Sequence, residues 1–163
     1  MQPPRERKHR LPEAAYYGKK CVAFTANEAR RKPLLACDEV HDALRAILAT
    51  AAREHGCTVP VYCLMPDHLH VLLLGTDDAS RPKRAMERFK YLSGIWFQQC
   101  RPDLDWQKDF YDRIVRRSEG LDAQARYVAL NPVRKGLAPD IFAWPYTGSI
   151  RYDLREVLLD AWW

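Results

Sequence analysis

The sequence predicts an α+β protein: a ferredoxin-like split βαβ sandwich, with an antiparallel sheet, helices on one face and an additional helix. Segments with strand and helix signatures follow one another as β-α-β-β-α-β, and a further helical segment comes after them. No internal repeat, low-complexity linker or second boundary divides the 163 residues, a length suited to one domain. Apolar residues make up 47% and charged residues 29%, enough to bury a real core.

Each element has a local reason. Residues 1–13 read as a basic arm that becomes ordered near Leu11-Pro12. Residues 20–27 read as a first strand with Val22 and Phe24 on one face. A loop through Arg30-Arg31-Lys32-Pro33 leads to a helix with Asp38 as its expected N-cap. Its apolar positions recur at Val40, Leu44, Ile47, Leu48 and Ala51, and Gly56 stops it. Residues 57–65 form a second strand in which Pro60 marks an edge or a bulge. A tight turn at Pro66-Asp67 leads into a third strand over 68–74. Pro82 suits the first turn of a helix reaching Cys100, with a stripe through Met86, Phe89, Leu92/Ser93 and Trp96/Phe97. Residues 110–116 read as a fourth strand. Ser118 is the expected cap of a helix over 119–130, which Pro132 ends. The rest, through Trp144-Pro145-Tyr146 and Val157-Leu158-Leu159, is expected to pack back as a short helix or irregular segment. Residues 14–137 are thus the central domain and 138–163 an extension on the same domain.

Composition removes several classes. The apolar run 69–74, interrupted by His70, is far too short to span a membrane. The first ten residues have no apolar segment behind their charges, so no secretory leader is expected. Cys21, Cys37, Cys57, Cys63 and Cys100 form no CxxC pair and leave one over, which fits reduced thiols in a cytosolic protein. The net charge of +5 is uneven, with nine Lys/Arg against three Asp/Glu in residues 1–36. Arg81, Lys83, Arg84, Arg88, Lys90 and Arg101 form a second basic concentration. Such patches are solvated surface in many proteins, and they are also what a phosphate-backbone binder needs.

The residues with most chemistry are Pro66-Asp67-His68-Leu69-His70-Val71-Leu72. Side chains two apart on a strand share a face, so His68 and His70 point together while Leu69, Val71 and Leu73 point the other way. Two adjacent imidazoles can share a divalent cation, and a hydrogen-bonded pair on a solvated sheet face has the same spacing. Downstream, Tyr127 and Asn131 are four apart on a helix and share a face distinct from the Leu121, Ala125 and Val128 stripe. A phenol and an amide presented together offer a nucleophile and a ligand, with Arg134 and Lys135 following. A core aromatic and a helix-terminal Asn before proline would use the same residues.

Pro66-Asp-His-Leu-His-Val-Leu72 and Tyr127-Val-Ala-Leu-Asn-Pro-Val-Arg-Lys-Gly-Leu137 together resemble the signature segments of the single-tyrosine HUH transposases, in particular the REP-associated tyrosine transposases. Arg10-Leu-Pro, Tyr17-Gly18, Trp106-Gln107, Phe110-Tyr-Asp112 with Arg113, and Trp144-Pro-Tyr extend the resemblance over about residues 10–149. It implies a metal-dependent single-stranded DNA endonuclease and transposase whose additional helix is catalytic. His68 and His70 take the positions of the metal-binding histidines, Tyr127 that of the nucleophile, and Asn131 that of the third ligand, which is more often Gln in insertion-sequence members. Mg²⁺ or Mn²⁺ is the implied cofactor. The implied substrate is a REP-like DNA hairpin, cleaved and rejoined through a 5′-phosphotyrosine by a monomer or homodimer in the cytoplasm, at the nucleoid. Lys83, Arg84, Arg88, Lys90, Arg134, Lys135, Arg7 and Arg10 are the expected DNA contacts, and Trp106 or Tyr111 could stack bases. Two other readings use the same residues: a non-catalytic nucleic-acid-binding module on this fold, and a metal-dependent hydrolase with water as nucleophile.

Overall fold

A computed structural model describes residues 11–159. Five antiparallel strands form one sheet in the order β4-β1-β3-β2-β5. They are β1 (Cys21–Asn27), β2 (Cys57–Leu64), β3 (His68–Gly75), β4 (Tyr111–Val115) and β5 (Thr147–Ile150). Helices α1 (Asp38–Glu54) and α2 (Pro82–Cys100) cover one face. There, Val22, Phe24, Leu69, Val71 and Leu73 meet Leu44, Leu48, Met86, Phe89 and Phe97. On the opposite face α3 (Leu121–Ala129) and α5 (Leu154–Leu158) pack Leu121, Ala125, Val128, Val157 and Leu158 against Val61, Cys63 and Leu72. The period-two pattern of β3 thus separates two cores, and the face that buries α3 is the one toward which His68 and His70 project.

Pro60 lies at a bulge and not at an edge. The pairing of β2 shifts register between Thr58 and Val61 against β3, and between Val59 and Tyr62 against β5. A residue with no N–H cannot donate to either ladder, so both neighbours skip it. Helix α2 begins at Pro82 as its sequence indicates.

Three local expectations are corrected. Asp38 is the first residue of α1, not its cap. Cys37 stands at the cap, and the Asp38 carboxylate instead accepts the Tyr146 hydroxyl at 3.0 Å. The helix expected over 119–130 starts later: Arg117–Glu119 form a 3₁₀ turn, Ser118 caps nothing, and Gly120 at φ +74° redirects the chain into α3. At its other end α3 stops at Ala129, as expected before Pro132, and the chain resumes as a further short helix, α4 (Asn131–Arg134), with Pro132 in its first turn where the missing N–H costs nothing. The extension also contains β5, where the sequence predicts a short helix or irregular segment. Trp144 Nε1 donates to Leu64 O at 3.0 Å, and Leu64 N donates to Tyr146 O at 2.9 Å, leading the chain onto the β2 edge.

Candidate active site

The β3 register places Thr25 and Cys63 on either side of His70, and Asn27 beside His68. The two imidazoles stand nearly perpendicular with centroids 4.6 Å apart, and their Nε2 atoms approach to 3.0 Å. Their other nitrogens are held. His68 Nδ1 donates to Asp67 Oδ1 at 2.6 Å, and His70 Nδ1 lies 2.9 Å from the Thr25 hydroxyl. Asp67 also accepts Arg31 Nε at 2.9 Å through its second oxygen.

Burial sets the charge state of the pair. It is the main cause pushing His70 down to about 4, and the charges of His68, Arg134 and Arg31 push the same way. His68 is also lowered, chiefly by burial, while Asp67 opposes the shift and Arg31 and Lys135 support it. Burial works against ionisation of Asp67, but the His68 hydrogen bond and charge, with Arg31, outweigh it and hold the carboxyl below its usual range. Both imidazoles are therefore neutral near pH 7 with lone pairs to donate. In the hydrogen-bonded pair one Nε2 carries a proton; with Nδ1–H directed to Asp67 and to Thr25, both Nε2 atoms become acceptors toward the same point. That donor set fits a divalent cation. Among the described residues no three His, Cys, Asp or Glu side chains gather to hold an ion, so further ligands would be an amide or water. Burial raises the neighbouring Cys63 thiol to about 11, which keeps it protonated and unsuited as a thiolate ligand.

Tyr127 lies off the buried stripe of α3 and is 61% exposed. The Arg134 guanidinium lies 4.2 Å from the centre of its ring, donates to the Tyr127 carbonyl at 2.7 Å, and acts electrostatically on His70. Arg134 thus lies against the Tyr127 ring with its charge reaching the histidine pair. Lys135, whose charge reaches His68, is on the same side. The Asn131 amide nitrogen turns back to donate to the Val128 carbonyl at 2.9 Å, so its oxygen is the atom not engaged in that bond. Tyr111 shares the row Tyr111–Thr25–His70 across the sheet and is half exposed, so it is a second phenol near the pair.

The other expected DNA contacts are placed elsewhere. Lys83, Arg84, Arg88 and Lys90 belong to α2, on the opposite face of the sheet. There Lys83 pairs with Glu87 at 3.2 Å, Arg84 with Glu13 at 2.5 Å and Arg88 with Glu54 at 3.0 Å, while Lys90 Nζ binds the carbonyls of Gln107, Lys108 and Asp109. Trp106 is a core residue whose Nε1 donates to Ser93 at 2.8 Å. Arg7 and Arg10 lie outside the described residues. The motif reading missed Thr25, Asn27, Arg31 and the role of Asp67. An acid directly before the first histidine was the available signal for Asp67, whereas the other three need the strand register.

Residues 21–129, from the start of β1 to the end of α3, match the family model described as Transposase IS200 like. A REP-associated tyrosine transposase of Escherichia coli (strain K12) is 23% identical over 128 residues, 76% of this chain and 73% of the relative. A solved REP-associated tyrosine transposase, bound to a REP hairpin, superposes with a TM-score of 0.62 at 22% identity, over 85% of this chain and 80% of its own. That likeness confirms the α+β fold with its antiparallel sheet. By the span of that family model, the chain belongs to the IS200-like transposases, a family of DNA strand-transferring enzymes.

Proposed function

We propose that this chain cleaves and rejoins hairpin-forming single-stranded DNA through a 5′-phosphotyrosine at Tyr127, with a divalent cation at His68 and His70. The observation that carries this reading is the approach of the two Nε2 atoms to 3.0 Å, each ring anchored from behind, on the face that buries the Tyr127 helix. A histidine pair with only a packing role has no need of that anchoring. The REP hairpin on the solved relative supports a hairpin substrate here.

Bound Mg²⁺ or Mn²⁺ would polarise the scissile phosphate and offset charge developing on its oxygens. The Tyr127 oxygen attacks phosphorus in line and loses its proton, while the bond to the 3′ oxygen breaks and that oxygen leaves as a hydroxyl. Arg134 holds the phenol ring through the attack, and Lys135 supplies positive charge for neighbouring phosphates. Asn131 Oδ1 is the proposed third protein ligand. The phosphotyrosine conserves the energy of the phosphodiester, so a different 3′ hydroxyl can reverse the step and join strands.

The test is covalent capture. Wild type incubated with labelled hairpin DNA and Mn²⁺ should form an adduct that survives denaturation. Tyr127→Phe, which removes one oxygen from an exposed ring, should form none and still bind the hairpin within about twofold of wild type. Tyr111→Phe should keep the adduct. An adduct lost only in Tyr111→Phe moves the nucleophile to that strand, and cleavage with no adduct points to water as nucleophile.

A further inference from the structure

The loop between β1 and α1 is organised by a carboxylate with no part in the proposed chemistry. Glu28 is only 1% exposed, and its Oε2 accepts the backbone N–H groups of Arg30 at 2.8 Å and Lys32 at 2.7 Å. A buried carboxylate needs such partners, and here the main chain supplies them by curling around it. Between the two donors sits Arg31 at φ +56°, in the left-handed region that non-glycine residues rarely occupy. The conformation sends its side chain to two acceptors. Arg31 Nη1 donates to Asn27 Oδ1 at 2.6 Å, and Nε donates to Asp67 Oδ2 at 2.9 Å. The main chain locks the same two loops together, with Glu28 N donating to Asp67 O and Leu35 N to Pro66 O, each at 2.9 Å.

We propose that Arg31 is a positioning residue for the histidine pair: held in its strained turn by Glu28, its guanidinium fixes Asp67, and Asp67 fixes the His68 ring with Nε2 directed at that of His70. This rests on the reading of the pair as the metal site. Asp67 has one oxygen on His68 and one on Arg31, so the carboxylate cannot rotate without breaking one of two charge-assisted bonds. With Arg31 gone, His68 is the one side chain among the described residues still bonded to it, and the partly exposed carboxylate can turn toward water. A planar fork spans Asn27 and Asp67 at once; the single ammonium of lysine cannot hold both in the same geometry. Outer partners of this kind set the orientation and donor strength of metal-binding imidazoles, and losing one typically weakens metal affinity 10–100-fold.

Arg31→Lys keeps the charge and removes the fork. Arg31→Gly also removes the fork and relaxes the left-handed backbone, so it folds without the strain of the native residue. In the metal-free full chain, both variants should lose the slowly exchanging Nδ1–H imidazole signal of His68 in NMR spectra. Both should bind Mn²⁺ about tenfold more weakly, as read by electron paramagnetic resonance. Hairpin affinity measured in chelator should stay within twofold for Arg31→Lys. Asp67→Ala should produce the same loss of Mn²⁺ affinity, and Arg31→Lys with Asp67→Ala should be no worse than Asp67→Ala alone, because one residue acts through the other. A preserved His68 signal with unchanged Mn²⁺ affinity overturns the assignment, as does additivity in the double variant. A fall in hairpin affinity matching that in metal affinity also overturns it, making Arg31 a phosphate contact. If His70→Ala leaves Mn²⁺ affinity unchanged, the metal reading fails separately, and the His68 signal still decides the role of Arg31.

Discussion

At the scale of single residues, the site depends on imidazoles kept neutral by their surroundings. His70 titrates at about 4 in the folded protein, below the ordinary 6.5, mainly because burial disfavours its cation. Between those values the unfolded chain binds a proton that the folded chain refuses, so stability falls as pH drops from about 6.5 toward 4. The full difference corresponds to roughly 3 kcal/mol, reached once pH lies below the folded value. The depressed Asp67 carboxyl adds a loss only at lower pH, as it protonates below its usual range. Urea unfolding in chelator at pH 7 and pH 4.5 should therefore show a marked loss of stability for wild type. His70→Gln, which has nothing to titrate there, should lose clearly less over the same interval. Equal losses in the two proteins would mean that His70 is not the group refusing the proton.

At the scale of elements, β5 shows what a short edge strand needs. Gly148 sits where an added Cβ would lie 2.6 Å from the Tyr62 hydroxyl oxygen and 2.9 Å from its Cζ. Tyr62 cannot easily move aside, because it is 4% exposed and its hydroxyl is 2.9 Å from His41 Nε2. Gly148→Ala should therefore destabilise the protein by roughly 1–3 kcal/mol through overpacking, visible as a lower urea midpoint. An unchanged midpoint would mean that β5 is loosely held. The same strand marks a limit of sequence reading. Thr147-Gly148-Ser149-Ile150 has no apolar alternation, and it is strand because Trp144 and Tyr146 anchor it beside β2. The late start of α3 has a similar origin, since Gly120 at positive φ overrides a plausible serine cap. By contrast α1 and α2 were legible from periodicity and proline signals, because each commits one face to a core, and β1, β2 and β3 from apolar runs between turn signals, because both faces of the sheet are covered. The pair His68/His70 was legible because side chains two apart on a strand share a face. Thr25 and Arg31 were not, because their partners come from strand register and loop packing.

At the scale of the whole molecule, the sheet divides the positive charge into two unequal groups. The cations of α2 stand on the face away from the histidines, engaged with Glu87, Glu13, Glu54 and backbone carbonyls. Arg31, Arg134 and Lys135 come from two separate segments, yet all act on the histidine pair. A strand whose phosphate reaches Tyr127 must pass Arg134 and Lys135, whereas Arg31 is engaged by Asn27 and Asp67 and phosphates at α2 would have to displace ion pairs already formed. Binding measured against salt separates the two faces, because each neutralised phosphate contributes a slope of about −0.7 in single strands and −0.9 in duplex. Lys135→Ala should weaken hairpin binding and make the slope shallower by about 1, across different hairpin sequences alike. Arg134→Ala should do the same and also slow adduct formation beyond the loss in affinity, since its guanidinium stacks on the Tyr127 ring. Lys83→Ala and Arg88→Ala should leave affinity within about twofold and the slope nearly unchanged. The reverse ranking, with α2 dominating the slope, would place the DNA backbone on the helical face of the sheet and require a path around its edge to reach Tyr127.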